Sequence, residues 1–269
     1  MPDHALTHAA ELQVARRAAA EAAALIVARE GAAEVREKER ADLVTAVDEA
    51  AERAVIARIR AHYPDDGVVA EETAAGPLTR GRRWIVDPID GTTNFVHGHP
   101  FTCVSVAFAD DAGLAVGVIH APLLGEVFHA VRGGGAFLNE RPIRVSDTAE
   151  PVRALLATGF PFKGGKGKLE PYFRLVADVM AETRDVRRAG SAAMDLAYVA
   201  AGRLDAYYEI GLAPWDVAAG ALLVAEAGGR VGGWPGDERG PVESGRVLAS
   251  NGRLHAWLEG AAARHVDRL

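Results

Sequence analysis

Between residues 101 and 131 three β-rich runs follow one another with only short breaks: F-T-C-V-S-V-A-F-A, L-A-V-G-V-I-H and G-E-V-F-H-A-V. Asp110-Asp111-Ala112-Gly113 and Pro122-Leu123-Leu124-Gly125 separate them. Runs this close together read as an antiparallel meander. Two shorter candidates precede it, Val68-Val69-Ala70 leading into Glu71-Glu72, and Arg82 to Asp87. Gly133-Gly134-Gly135 and N-E-R-P (139–142) read as closing turns.

Both flanks change period. Residues 4–30 read as one amphipathic helix, with Leu6, Ala10, Val14, Ala18 and Leu25 on its apolar side and Gly31 as its stop. A short charged loop, V-R-E-K-E-R, follows. A second helix runs from Ala46 to His62, ended by Pro64, with Val47, Ala51, Ala54, Val55 and Ile59 on its buried face. After about residue 150 strand and helix patterns alternate: R-A-L-L-A-T-G, E-P-Y-F-R-L-V-A-D-V-M, D-V-R-R-A, S-A-A-M-D-L-A-Y-V-A-A, D-A-Y-Y-E-I, and D-V-A-A-G-A-L-L-V-A-E-A. A-W-L-E-G-A-A-A closes the chain as a terminal helix. Such alternation predicts a layered α/β second half. The expected organisation is therefore an N-terminal α+β half, 1–145, and a C-terminal α/β half, 146–269. With no repeat and no long low-complexity linker, the halves should pack tightly.

Composition narrows the function. Lys plus Arg number 30 against 37 Asp plus Glu, a net charge of −7, which does not suit a general nucleic-acid binder but does suit a protein that binds cations. A single cysteine, Cys103, excludes an internal disulfide and fits a reducing compartment. The longest clean apolar run of the Ala-rich start, Ala22 to Ala28, is far short of the ~18 residues that span a bilayer. No targeting segment or membrane partner is expected, and the expected location is the cytoplasm.

W-I-V-D-P-I-D-G-T-T-N-F (84–95) places Asp87 and Asp90 at the end of an apolar run. Burying charge there is costly unless something compensates it. Other acidic stations are Asp48 in the second helix, Glu71 after a strand, and Asp216 in P-W-D-V-A-A. Each has a plain reading: Thr45 and Asp48 as a capping box, Glu71 as a solvated charge, Asp90-Gly91 as a turn, Asp216 as a helix cap. Read together they form the oxygen-rich set that hard divalent ions take, with Mg²⁺ accepting a few carboxylates, water and substrate phosphate. Paired ions ~3.5–4 Å apart can activate water and hold the leaving oxygen of an in-line displacement. Backbone N–H groups of Gly91 and Thr92, if they open a helix, add a seat for phosphate.

The same stretch closely resembles the first signature of the inositol monophosphatase family. D-L-V-T-A-V-D (42–48), A-E-E-T (70–73), L-L-A-T-G-F-P-F-K (155–163), A-G-S-A-A (189–193), D-A-Y-Y-E (205–209) and W-D-V-A-A-G-A-L-L-V-A-E-A-G-G (215–229) resemble further family blocks, in family order. The L-A-T-G-F-P-F-K segment resembles the bacterial branch. The resemblance implies the layered αβαβα sugar-phosphatase fold, a homodimer, two or three Mg²⁺ ions, and inhibition by lithium. It implies that Glu71, Asp87 and the Ile89 carbonyl bind one ion, and that Asp87, Asp90 and Asp216 bind a second. A third, weaker ion would share Glu71 and waters. Thr92, with Asp48 behind it, would orient the attacking water, and the Gly91 and Thr92 amides would hold phosphate. Gly190, Ala192 and Glu209 would face the hydroxyls of the substrate, with Asp216 beside them. One departure is Glu37, with Lys38 next to it, where relatives often carry lysine eleven residues before the helix-two aspartate. That departure bears on the third ion.

Rival chemistries fit poorly. A haloacid-dehalogenase-type aspartyl enzyme sets its aspartates two apart, whereas Asp87 and Asp90 enclose Pro88-Ile89. Cys103 lacks the following arginine of a cysteine phosphatase and reads as a buried strand residue. G-F-P-F-K-G-G-K (159–166) lacks the G-K-[ST] ending of a phosphate loop, and V-H-G-H (96–99) reads as turn or surface. Among superfamily substrates, Thr93 disfavours histidinol phosphate and 3′-phosphoadenosine 5′-phosphate, whose enzymes tend to carry lysine there. Glu209, seven residues before Asp216, resembles the inositol branch, and a carboxylate accepts hydrogen bonds from polyol hydroxyls. The expected activity is Mg²⁺-dependent hydrolysis of myo-inositol monophosphate. A related sugar-phosphate phosphatase, acting on fructose 1,6-bisphosphate or histidinol phosphate, or a regulatory binding role on a retained metal site, is the alternative.

Overall fold

A computed structural model describes residues 7–28, 35–39, 42–73, 80–161 and 169–265, with 35–39 and 42–43 described by backbone alone. Helix α1 (Ala9–Ala28) leads to a two-stranded antiparallel hairpin, β1 (Val35–Glu39) and β2 (Asp42–Thr45), and then to α2 (Ala46–His62). The charged V-R-E-K-E stretch, expected as a loop, is thus a strand. It carries no apolar alternation by which a strand is recognised. The side chains of Glu37 and Lys38 and the stop at Gly31 lie outside the described residues. Helix α2 has its expected bounds. Val47, Ala51, Val55 and Ile59 are buried, and Ala54 sits half-buried at the edge of the face. On α1 the buried stripe is Val14, Ala15, Ala18, Ala19, Ala22, Ala23 and Ile26. Ala10 is exposed and Leu25 half-buried, while Leu6 lies outside the described residues. Alanine contrasts weakly with its neighbours, so packing, not sequence contrast, sets which side of α1 faces inward.

The first sheet has seven strands in chain order: β3 (Gly67–Ala70), β4 (Arg83–Asp90), β5 (Cys103–Asp110), β6 (Gly113–Ala121), β7 (Glu126–Val131), β8 (Gly135–Leu138) and β9 (Arg141–Ile143). β3 and β4 pair in parallel, and the rest form the expected meander. The meander continues two strands beyond its expected end. Asn139 and Glu140, both with positive φ (45° and 65°), make the two-residue turn between β8 and β9. Positive φ at both positions matches the right-handed twist of the flanking strands. Between β4 and β5 lies a short helix, α3 (Thr92–Val96).

The second sheet has the order β11-β10-β12-β14-β13, built from β10 (Leu155–Thr158), β11 (Asp185–Arg187), β12 (Ala206–Ile210), β13 (Arg230–Gly232) and β14 (Arg246–Ser250). Its parallel part is β11, β10 and β12, interleaved with α4 (Leu169–Glu182) and α5 (Ala192–Ala200) as the alternation predicts. β13 and β14, absent from the sequence reading, join antiparallel after α6 (Pro214–Glu226), so the sheet is mixed. A one-turn helix α7 (Pro241–Ser244) and the terminal α8 (His255–Ala263) complete the chain.

Strand alternation sorts these elements into layers. In the first sheet Trp84, Val86, Val104, Val106, Phe108, Val116 and Val118 pack against α1 and α2. Ile85, Cys103, Ala107, Ile119, Phe128 and Ala130 face the other way, into a core shared with α5, α6 and Tyr207, Val247 and Ala249 of the second sheet. The far side of the second sheet, Leu156, Tyr208 and Leu248, packs on α4 and α8. The order is helices, sheet, helices, sheet, helices.

Small residues dominate the face toward α6 because that helix lies close. A Cβ on Gly117 of β6 would stand 2.8 Å from the Ala219 carbonyl oxygen. Both partners are backbone, so neither yields easily. Gly117→Ala is expected to destabilise the fold by about 1–3 kcal/mol, read as a lowered denaturation midpoint with unchanged slope.

Candidate active site

In a regular strand, residues three apart face opposite sides. β4 escapes this through a bulge. Asp87 pairs with Ser105 and Asp90 with Cys103, so β4 fits three steps against two on β5. The extra residue returns Asp90 to the side of Asp87. Pro88 is tolerated at the irregularity, where a ladder N–H is not required. Asp87 Oδ1 accepts a hydrogen bond from Ile89 N at 2.9 Å, which steadies the turn. The Asp216 carboxylate completes the group. One oxygen from each of Asp87, Asp90 and Asp216 lies within 4.8 Å of the others.

Each of the three is aimed by its surroundings. Asp90 Oδ2 accepts from Ser191 Oγ at 2.6 Å and Ala193 N at 2.7 Å, at the start of α5. Asp216 stands in the first turn of α6, where negative charge is favoured, and its Oδ2 accepts from Ala213 N at 2.7 Å. Ser105 Oγ donates to the Trp215 carbonyl at 3.1 Å, tying the start of α6 to β5. The plain reading of Asp216 as a cap therefore holds, and the same residue reaches the cluster. Glu71, half-buried, follows β3, whose Ala70 pairs with Val86 beside Asp87.

Asp48 also serves two ends. Thr45 N and Oγ1 donate to its Oδ2 at 2.7 and 2.5 Å, the capping box the sequence proposes. Its Oδ1 lies 3.1 Å from Thr92 Oγ1, which is also 3.1 Å from the Ile89 carbonyl oxygen. Thr92 opens α3, with Gly91 preceding it at φ +92°. A Cβ at Gly91 would meet the Phe101 and Gly190 carbonyl oxygens at 3.1 and 3.3 Å, so both conformation and space require glycine.

Crowded carboxylates resist ionisation. Burial, then the charges of Glu71, Asp90, Asp216 and Asp48, hold the Asp87 carboxyl well above the usual carboxylate range. Burial and then Asp216 push Asp90 up to about 7. Burial also raises Asp48, against hydrogen bonds from Thr45 and Thr92. A hard divalent cation supplies the charge that relieves this repulsion, and the donors are all oxygens, so the residues fit Mg²⁺.

A cleft of about 190 Å³ opens beside the cluster, lined by Asp90, Gly159, Arg188, Gly190, Ser191, Ala192, Asp195, Glu209 and Asp216 among others. Glu209, on β12, accepts from Tyr207 Oη at 2.5 Å, and burial pushes its carboxyl up to about 8. Every residue expected at a site thus lies at the cluster, beside it or along this cleft. His97 and His99 are exposed on the surface after α3, and Cys103 is buried in β5. The stretch 162–168, with most of G-F-P-F-K-G-G-K, lies outside the described residues.

The profile of the inositol monophosphatase family matches residues 7–267. The chain belongs to that family. Among similar proteins is a Nus factor SuhB of Pseudomonas aeruginosa, 44% identical over 224 residues, 81% of each chain. The extragenic suppressor protein suhB of Bartonella henselae superposes with a TM-score of 0.87 at 39% identity, over 94% of this chain and 98% of that one. An inositol monophosphatase from Anabaena gives 0.84 at 38% identity, over 95% and 96%. The five layers are the sugar-phosphatase fold of these structures.

Within this inositol monophosphatase fold, sequence reasoning left several site residues without a role. Ser191 bonds Asp90, and the signal was present: a serine directly before an apolar helix is a cap. Asn94 Nδ2 donates to the Phe101 and Ala189 carbonyls at 2.7 and 2.9 Å, joining α3 to the loop before α5. Gly159 gives way to Glu209, whose carboxylate oxygens lie 2.0 Å from where a Cβ would stand. Asp195 is buried in the cleft wall. No local pattern marks these last two. No described helix is long and apolar enough to cross a membrane.

Proposed function

We propose that this chain is a Mg²⁺-dependent phosphomonoesterase that hydrolyses myo-inositol monophosphate to inositol and phosphate. The observation that carries the reading is the convergence of Asp87, Asp90 and Asp216 within 4.8 Å beside a polar cleft. Asp87, Asp90 and Asp216, with Glu71 and the Ile89 carbonyl, would hold two ions, and a third would share Glu71. When bound, the ions supply Lewis acidity, lowering the pKa of water and neutralising phosphoryl charge.

The chain's own residues do the rest. The Gly91 and Thr92 amides face the phosphate. Thr92 has one hydroxyl proton and two acceptors, so its oxygen can take a proton from water while its own passes to Asp48 Oδ1. The raised pKa of Asp48 makes it a better proton acceptor than an ordinary aspartate. Its other oxygen stays pinned by Thr45, so the relay keeps its direction. Glu209, Gly190 and Ala192 receive the hydroxyls of the inositol ring. The chain works as two packed halves, 1–145 carrying most metal ligands and 146–269 carrying Asp216 and the substrate contacts, and as a cytoplasmic homodimer.

Phosphate release from inositol 1-phosphate, fructose 1,6-bisphosphate and histidinol phosphate, with Mg²⁺ and then with chelator, tests the reading. Inositol 1-phosphate is expected to give the highest kcat/KM, with release abolished by chelator and inhibited by lithium. A far higher kcat/KM for histidinol phosphate overturns the substrate. No metal-dependent release from any of them favours a second reading, a regulatory binding protein that retains the site. The Nus factor name of its SuhB relatives favours that alternative.

A further inference from the structure

Helix α2 carries a second buried carboxylate, Glu52, one turn after Asp48 and on the same face. It is fully buried, and three donors from the segment after β3 converge on it. Oε2 accepts from Glu72 N at 2.6 Å. Oε1 accepts from Thr73 N at 2.8 Å and from the Thr73 hydroxyl. A buried charge is tolerable only with partners of this kind. Glu52 therefore stands in for the carbonyls that a strand or helix would have offered these amides.

We propose that Glu52 is the positioning residue for Glu71, holding its carboxylate at the metal centre. On one side of Glu71 the chain is fixed by β3, where Ala70 pairs with Val86. On the other it is fixed by the Glu52 bonds to residues 72 and 73. With both neighbours held, Glu71 is confined beside Asp87, on which its charge acts more strongly than that of any other carboxylate. Glu52 touches no reacting atom. Its position on α2 means that one rigid helix sets both the Thr92–Asp48 relay and the Glu71 ligand. The inference rests on the metal-site reading above.

Calorimetric titration of the full chain with Mn²⁺, without substrate, tests it. Glu52→Gln keeps the shape but turns an amide donor toward backbone donors, and is expected to weaken Mn²⁺ binding about tenfold or more, as for other groups that orient a metal ligand. A positioning role acts only through Glu71. In a Glu71→Gln background, adding Glu52→Gln is therefore expected to change affinity less than about twofold, because the coupled pair is non-additive. An equal loss in both backgrounds would assign Glu52 to the fold in general and overturn the proposal. So would unchanged Mn²⁺ affinity in Glu52→Gln. If that variant does not fold, Thr73→Val removes one of the three bonds, and its smaller loss must likewise vanish in Glu71→Gln. A wild-type chain that binds no Mn²⁺ overturns the metal-site reading and this inference with it. Wild-type binding with unaffected variants overturns this inference alone.

Discussion

Asp87→Asn is expected to lower kcat/KM for inositol 1-phosphate by about a thousandfold or more, a loss of about 4 kcal/mol in transition-state stabilisation. It is also expected to weaken Mg²⁺ binding and, in chelator, to raise Tm. The three effects share one cause. Asp87 is buried among Glu71, Asp90, Asp216 and Asp48, and each of these charges makes its ionisation harder. Asparagine keeps the shape and can still accept the Ile89 N–H through its amide oxygen. What it removes is a charge that only a cation makes tolerable. A neutral side chain there is expected to stabilise the metal-free fold while deleting a proposed ligand, the trade expected where a site is held against its own repulsion. Titration calorimetry, steady-state kinetics and thermal melts of the two proteins check this. Near-normal turnover refutes the assignment. Loss of turnover with a lower Tm in chelator would make Asp87 a structural residue instead.

The parts legible from the sequence are those with local signals. Helix α2 is bounded by a capping box and by Pro64, and the meander by its turns, so both were readable. β14 was not, because R-V-L-A-S is five residues long and follows a stretch rich in Gly, Asp and Glu. β1 was not, because its alternation is among charged residues. At the site, the acidic stations stood out as anomalies of burial, and the resemblance supplied their roles. Their convergence was implied by the resemblance and not by the residues alone. It depends on the bulge at Pro88-Ile89, which reverses the face of Asp90, and on the packing of α6 against β5 that delivers Asp216. Glu52 shows the limit most sharply. In sequence it is one more glutamate on an amphipathic helix, and its meaning comes from the Glu72 and Thr73 amides that follow β3 and reach it across the fold.

The same repulsion gives the metal-free chain an unusual dependence on pH. Asp87 and Asp90 hold protons to higher pH in the folded chain than in the unfolded one. A folded state that binds more protons than the unfolded state loses stability as pH rises. For Asp90 the difference between 3.8 and about 7 corresponds to about 4 kcal/mol at most, lost progressively from about pH 4 and complete once pH has passed 7. Buried histidines act in the opposite sense: burial lowers His120, His129 and His255, so their contribution rises with pH. That rise is complete only above about pH 7.5, about a unit beyond the ordinary histidine pKa of ~6.5, where histidines are neutral in both states. The window from about pH 7.5 to 8.5 therefore isolates the carboxyls, and Tm in chelator is expected to fall across it. On the proposed metal-site reading Mg²⁺ competes with protons for the same oxygens, so its stabilisation is expected to be several degrees larger at about pH 8.5 than at about pH 6. Glu209, pushed up to about 8 chiefly by burial, lies outside the three-carboxylate cluster. A shallow decline should therefore persist in saturating Mg²⁺, and Glu209→Gln should reduce it, leaving the part due to buried Asp195, whose carboxyl burial also holds well above the usual range. Melts at four pH values, with chelator and with Mg²⁺, decide the matter. A Tm in chelator that climbs through this window, or a Mg²⁺ shift equal at about pH 6 and about pH 8.5, would mean that the cluster is already ionised and neutralised by the protein itself.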